Sequence, residues 1–412
     1  RRGAEFAHLP ADRHALAQSE GELILYRADA TAALTAFERA LGFATSEPER
    51  CHSWIGLADA HRIVQHMDEG HRALDHAAKL ASSGMDAELS RINRIRGSLK
   101  FTAGLDSRAE QELALEHATR SGDVELQARA LSCLGDAYYL SGRMRAAIEY
   151  FTRAVELSRK QGLGRVELYQ HYMLGISRMF SNDMRGAIVA TEMGIEQARR
   201  AGHRRAELIA RETLALILIQ MGRSEAALTE IEVAVEQARV TASTMFEGML
   251  LAERTDALCQ LGRLEDAAVS AQQCRALNIQ PHWWLVGPLL ASLDAWFARD
   301  DAQLEQSIAA AAPALEASPP MMTAMYHARL AETCLTRGFE PIAERHARLA
   351  LGTVEDAAYL THLAERVLAL LDFRSAPQDV EKRSRLKQLR SEAELGGLES
   401  GVALFDRALG PG

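Results

Sequence analysis

The side chains in this sequence best suited to recognising another molecule are arginines, tyrosines and a few acids at helical spacing. Arg91 and Arg94 lie one turn apart. On a helix such a pair shares a face, and two guanidinium groups there can clamp a carboxylate, such as a peptide C-terminus or an acidic side chain. The alternative is a pair of exposed arginines that balances an acidic chain. Tyr139, Tyr169 and Tyr172 bring large area and a polar tip, which suits an aromatic wall for an extended peptide. The alternative is packing between neighbouring elements. Trp283, Trp284 and Trp296 cluster near Pro281 and Pro288. They make a second candidate partner site, or they fill a packing gap.

None of these side chains is arranged for catalysis. The sequence has no phosphate-binding glycine loop, no Gly-x-Ser-x-Gly elbow and no His-Glu-x-x-His. His61 and His66, like His71 and His76, are five apart and do not share a helix face. Cys51 and His52 are adjacent, which is poor spacing for one metal. No acidic pair faces an evident acid–base partner. The chain is expected to be non-enzymatic, with no catalytic residue, metal or cofactor.

What must position the candidates is a repeat. The stretch 131–162, LSCLGDAYYLSGRMRAAIEYFTRAVELSRKQG, echoes itself nine times between residues 14 and 357. Anchored on Gly135, its counterparts are Gly21, Ala58, Gly97, Gly175, Ala215, Thr255, Ser292 and Ala331, at steps of 37 to 40 residues. Seven residues on comes a turn position, filled by Gly104, Gly142, Gly222, Gly262 and Gly338. Glycine there fits a helix that ends in a left-handed conformation. Five residues further stands a small residue, including Ala33, Ala109, Ala147, Ala187 and Ala227. The pattern predicts two helices per repeat, A and B, each with an apolar stripe that neither can bury without its neighbours. Consecutive A helices should line a concave groove. His52, Asp59, Arg62, Arg91, Arg94, Phe101, Asp136, Tyr139, Tyr169, Tyr172 and Glu212 then face that groove.

Composition agrees. Of 412 residues, 48% are apolar and only 10 are proline, and strand patterning is nearly absent. A net charge of -9 without a basic field argues against nucleic acid as a partner. Five scattered cysteines read as reduced thiols of a cytoplasmic protein. No apolar run is long enough for a membrane span. The Arg-Arg-Gly start suggests a piece of something longer.

Trp54, Leu57, Ala58, Gly70, Leu74 and Ala77 in the second repeat, and Leu134, Gly135, Tyr138, Gly142, Ala147, Phe151 and Ala154 in the fourth, resemble the signature of a tetratricopeptide repeat array. The resemblance covers roughly 80% of the chain, with a period nearer 39 than the family's usual value of about 34. It implies an all-α, right-handed superhelical solenoid of antiparallel helix hairpins. It also implies a protein- or peptide-binding scaffold, similar to the repeat regions of large bacterial signalling ATPases, cyclases and maltose-regulator-like activators. In the last group a similar superhelix senses a small effector, which is the alternative function here. The solenoid is expected over 1–357, irregular at 276–320, where proline interrupts the pattern. A capping helix follows at 358–373, then a charged helix or flexible tail at 374–412. In the third repeat Lys100 and Glu116 break the pattern, which suggests a shifted B helix. An exposed solenoid end also leaves homodimerisation open.

Overall fold

The structure is a computed structural model that describes residues 9–410 apart from 27–28, 83, 242, 278, 280–282, 317 and 355. The side chains of Tyr26, Arg165, Trp283 and Trp284 also lie outside the described set. Among the described residues every regular element is helical. The chain divides into two compact units, Arg1–Ala137 and Tyr138–Gly412.

The first unit holds α1 (Pro10–Tyr26), α2 (Ala30–Phe43), α3 (Glu47–Ile63), α4 (Met67–Leu80), α5 (Asp86–Thr102) and α6 (Arg108–Ser121), and α7 (Val124–Leu140) carries its last residues. Short connections turn each odd helix back onto the even helix that follows. The start of α3 shows why the chain breaks where it does. Ser46 accepts the Glu49 N–H, and the Glu49 carboxylate accepts the Ser46 N–H, a reciprocal cap that satisfies two otherwise orphaned donors. The small residues of the frame allow close helix contact. Phe37 is fully buried against α1 and α3, and a Cβ on Gly21 or Gly56 would stand 2.6 or 2.5 Å from its ring. Odd helices also pack on one another, α1 on α3 and α3 on α5, and so line the inner side of the unit.

The third hairpin keeps the sequence frame on its A helix and shifts its B helix. Its B helix buries Ser107, Gln111, Ala114 and Ala118, while Ala109 and Glu116 are exposed. The anchor stays on Gly97, whose Cβ would lie 2.2 Å from Gln111 and which is followed seven residues on by the positive-φ Gly104, while the buried stripe of the B helix runs two residues earlier than in the fourth repeat. The connection between α5 and α6, residues 103–107, is longer than the 141–143 connection that follows α7, and it absorbs the slip.

The second unit continues with α8 (Met144–Lys160), α9 (Gly164–Phe180), α10 (Met184–Arg200), α11 (Arg204–Met221), α12 (Ser224–Val240), α13 (Thr244–Gln260) and α14 (Leu264–Ala276). The irregular stretch then follows: α15 (Trp283–Ala291) with Pro288 inside it, a 3-10 turn at Asp294–Trp296, and α16 (Asp301–Glu316) with Pro313 inside it. Regular hairpins resume with α17 (Pro320–Arg337) and α18 (Glu340–Leu351), and α19 (Ala358–Ser375), α20 (Val380–Gly396) and α21 (Glu399–Leu409) complete the unit. The α20 start is capped by Asp379, whose carboxylate accepts the Glu381 and Lys382 N–H groups. Odd helices again pack on one another, from α9 through α19.

The end of this unit folds back onto its beginning. The hairpin turns at 142, 182 and 222 recur every 40 residues, and each has positive φ, as Gly142, Asn182 and Gly222. Each meets the C-terminal region. A Cβ on Gly142 would lie 2.4 Å from Val354, one on Gly222 would lie 2.8 Å from Ser400, and one on Gly396 would lie 3.1 Å from the Asn182 amide. The Asp356 carboxylate accepts the Met144 N–H at 2.6 Å across 212 residues of sequence, which caps α8 from outside its own hairpin. Arg223 pairs with Glu399 at 2.6 Å.

Candidate functional site

The inner face of the first unit is a row of charged side chains on α3, α5 and α7. Arg62 donates to Asp59 Oδ1 through both Nε (2.9 Å) and Nη2 (2.7 Å), and Arg94 Nη2 approaches Asp59 Oδ2 at 3.7 Å. Two guanidinium groups from two helices thus converge on one carboxylate. Burial raises the Asp59 carboxyl, but the charges of Arg62 and Arg94 outweigh it and hold its pKa at about 2. Arg94 Nε is buried without an acceptor, and Arg91 makes no ion pair among the described residues. The two arginines therefore keep unused donors while Asp59 is already shared.

From α7, Cys133 and Asp136 complete the row. Cys133 interacts electrostatically with Arg94, Asp136 and Arg62. Burial pushes the Asp136 carboxyl up to about 7, with no cation close enough to reverse it. His52 Nε2 bonds to Glu88 Oε1 at 2.6 Å, so this histidine is spoken for within the row. Phe101 is half-buried on α5. The structure thus brings Asp59, Arg62 and Arg94 together, with Cys133 beside the arginines and Asp136 beside Cys133.

The candidates in the second unit divide differently. Tyr169 and Tyr172 pack edge to face at 6.4 Å, and the Tyr169 hydroxyl lies 3.3 Å from His203 Nε2. Both flank the apolar core. Tyr139 is 7% exposed and packs on Phe180 at 6.0 Å. Burial removes it from the surface a ligand touches, and its place in an aromatic wall is corrected to a packing role. Glu212 is corrected likewise: it is 3% exposed and faces Glu253, itself 1% exposed. Burial pushes both carboxyl groups up, and Glu253 is raised further by the charge of Glu212. Trp296 is half-buried and packs with Phe297 against the core. The Trp283 and Trp284 side chains lie outside the described residues.

Sequence reasoning missed the partners inside this unit. Arg329 of α17 pairs with Asp256 of α13, both nearly fully buried. Tyr359 of α19 donates to Gln220 at 2.7 Å and packs on Phe180. Glu253 sits three residues before Asp256, on the same helix face, and that spacing is a signal the sequence did carry. Among the described residues no helix is long and apolar enough to cross a membrane, and no group of three or more His, Cys, Asp or Glu could hold a metal ion.

A family model for the tetratricopeptide repeat matches residues 128–160. No curated protein matches the sequence. Among solved structures, a Rap protein complexed with Competence and Sporulation Factor is similar at TM-score 0.64 and 12% identity, over 85% of this chain and 99% of that one. The apo quorum sensor NprR from B. thuringiensis is similar at TM-score 0.57 and 14% identity, over 81% and 97%. Aspartyl phosphate phosphatase F from Bacillus subtilis is similar at TM-score 0.51 and 12% identity, over 86% and 94%. At these identities the likeness speaks for the fold. With the period of its hairpins, the left-handed glycine turns and the matched repeat, the chain is a tetratricopeptide-type array of helix hairpins.

Proposed function

We propose that this chain is a non-catalytic, protein- or peptide-binding scaffold, a cytoplasmic regulatory region of a larger bacterial signalling protein. The observation that carries this reading is the row on the inner face of the first unit. There Arg91 and Arg94 keep donors that no residue uses, beside an Asp59 already claimed by Arg62. A carboxylate is the complementary group, because a planar guanidinium offers it paired donors. The partner is therefore a segment with a C-terminal or side-chain carboxylate laid along α3, α5 and α7. Neighbours of the same fold support the reading, since a Rap protein is seen with Competence and Sporulation Factor and NprR with its cognate peptide NprX.

The test is a fluorescence-anisotropy screen of short peptides, each as the free acid and as the C-terminal amide. Binders should prefer the free acid or an acidic side chain. Arg91→Ala combined with Arg94→Ala should weaken them about tenfold or more, as expected when charge-assisted hydrogen bonds are lost. Specific binding that survives both the double substitution and amidation would end this assignment of the groove.

A further inference from the structure

The second unit contains a cavity that the peptide reading does not use. It measures about 600 Å³ and lies where the fold-back meets the repeat turns. One wall is Arg145, Ser181 and Asn182, from the hairpin turns. The other is Asp356, Thr361, His362, Glu365 and Glu392, from the C-terminal region. The volume is in the range of small-molecule sites.

The chemistry of the walls selects the ligand. Asp356 is paired with the Arg145 guanidinium and also accepts the Met144 N–H at the start of α8. Glu365 uses Oε2 for Arg385, and Glu392 uses Oε1 for Gln388. Glu365 Oε1 makes no hydrogen bond among the described residues. Glu392 Oε2 has only His362 Nδ1 at 3.9 Å, too far for a hydrogen bond. The His362 side chain is 5% exposed, and its Nε2 has no partner, nor do Ser181 Oγ and Asn182 Oδ1. Unsatisfied groups this deep are uncommon in folded proteins and call for an explanation. Most of the uncommitted atoms are acceptors, two of them carboxylate oxygens, and the lining offers no unpaired cation. There is no aromatic or large apolar side chain on which a hydrophobic ligand would rest.

We propose that this cavity binds a small organic cation, a primary amine or guanidine of polyamine size, with its charge on Glu365 and Glu392 and its remaining donors on Thr361 and the 181–182 turn. The proposal stands apart from the groove of the first unit and does not depend on it. A ligand here touches both the turns and the C-terminal helices, so it also reinforces the fold-back.

The test is isothermal titration of the whole chain with agmatine and with spermidine, beside glucose and citrate as neutral and anionic comparators. Saturable binding of an amine is expected, with none for the comparators. Glu365→Gln combined with Glu392→Gln should weaken it about tenfold or more. Both carboxylates are partly exposed, so this variant should fold, which circular dichroism checks. Thr361→Val supplies a milder second variant with a smaller loss. Hydrogen exchange should show the bound amine slowing exchange in α20 and α21, and not in α3 or α5. The proposal is overturned by the absence of saturable amine binding, by equal binding of the comparators, or by binding unchanged in the double variant.

Discussion

Asp136→Asn tests the electrostatics of the inner row most directly. Burial lifts the carboxyl from 3.8 to about 7. The folded chain therefore holds a proton that the unfolded chain has released, between about pH 4 and about pH 7. Stability must fall as pH rises through that window, and level off above it. A shift of this size is worth about 4 kcal/mol if fully expressed. Asp136 is half-buried, and solvent screening reduces the expectation to about 2 kcal/mol. Asparagine mimics the protonated acid at every pH. The variant should match the wild type near pH 4 and exceed it by about 2 kcal/mol near pH 8. Urea unfolding at both pH values measures the gap, and hydrogen exchange of peptides from α3 and α5 assigns it to the first unit. An equal gap at both pH values, or a variant less stable at the higher one, would refute the reasoning.

Three further outcomes follow from the second unit. Asp356→Ala should cost about 1–2 kcal/mol by removing the α8 cap, visible as faster amide exchange at Met144 and Arg145. Gly222→Ala and Gly262→Ala should both lose about 1 kcal/mol, since each glycine has positive φ. Only Gly222→Ala should also loosen α21, because Ser400 sits on it while nothing lies within 4 Å of the Gly262 position. His327 and His346, with their Nδ1 atoms 2.8 Å apart, are held by burial at pKa values of about 4 and about 3. The unfolded chain takes up these protons first, so stability is lost as pH falls below about 6.5. His346→Leu should reduce that acid loss in a urea titration, and an unchanged acid limb would count against the pair.

The hairpin pattern was legible because it rests on local rules. A left-handed turn seven residues after each anchor shows in sequence as glycine at 142, 222, 262 and 338. The same geometry at Gln65 and Asn182, with φ of 63° and 66°, has no glycine to mark it. In the third repeat Gly97 and the left-handed turn at Gly104 keep the frame, and the shift is confined to the B helix, where the misfit of Glu116 marked it in sequence. In the candidate site, Arg62, Asp59 and Arg94 were legible as inner-face residues of successive A helices. The burial of Tyr139 and Glu212 was not, because Tyr139 is covered by Phe180 of α9 and Glu212 faces Glu253 of α13, partners on separate helices. Which residue of a neighbouring helix lies opposite depends on the pitch of the stack, which no short window of sequence encodes. Asp356 over α8 is the extreme case, a cap whose sequence context names no helix.

The spacing of 142, 182 and 222 acts as a ruler. An ordinary solenoid tolerates gain or loss of a repeat, since each hairpin touches only its neighbours. Here Val354, Gly396 and Ser400 are seated against three turns at fixed intervals, so one hairpin more or fewer between α8 and α12 would unseat them. The second unit has exchanged the modularity of a repeat array for a fixed length, and it should melt as a single cooperative block instead of fraying from one end.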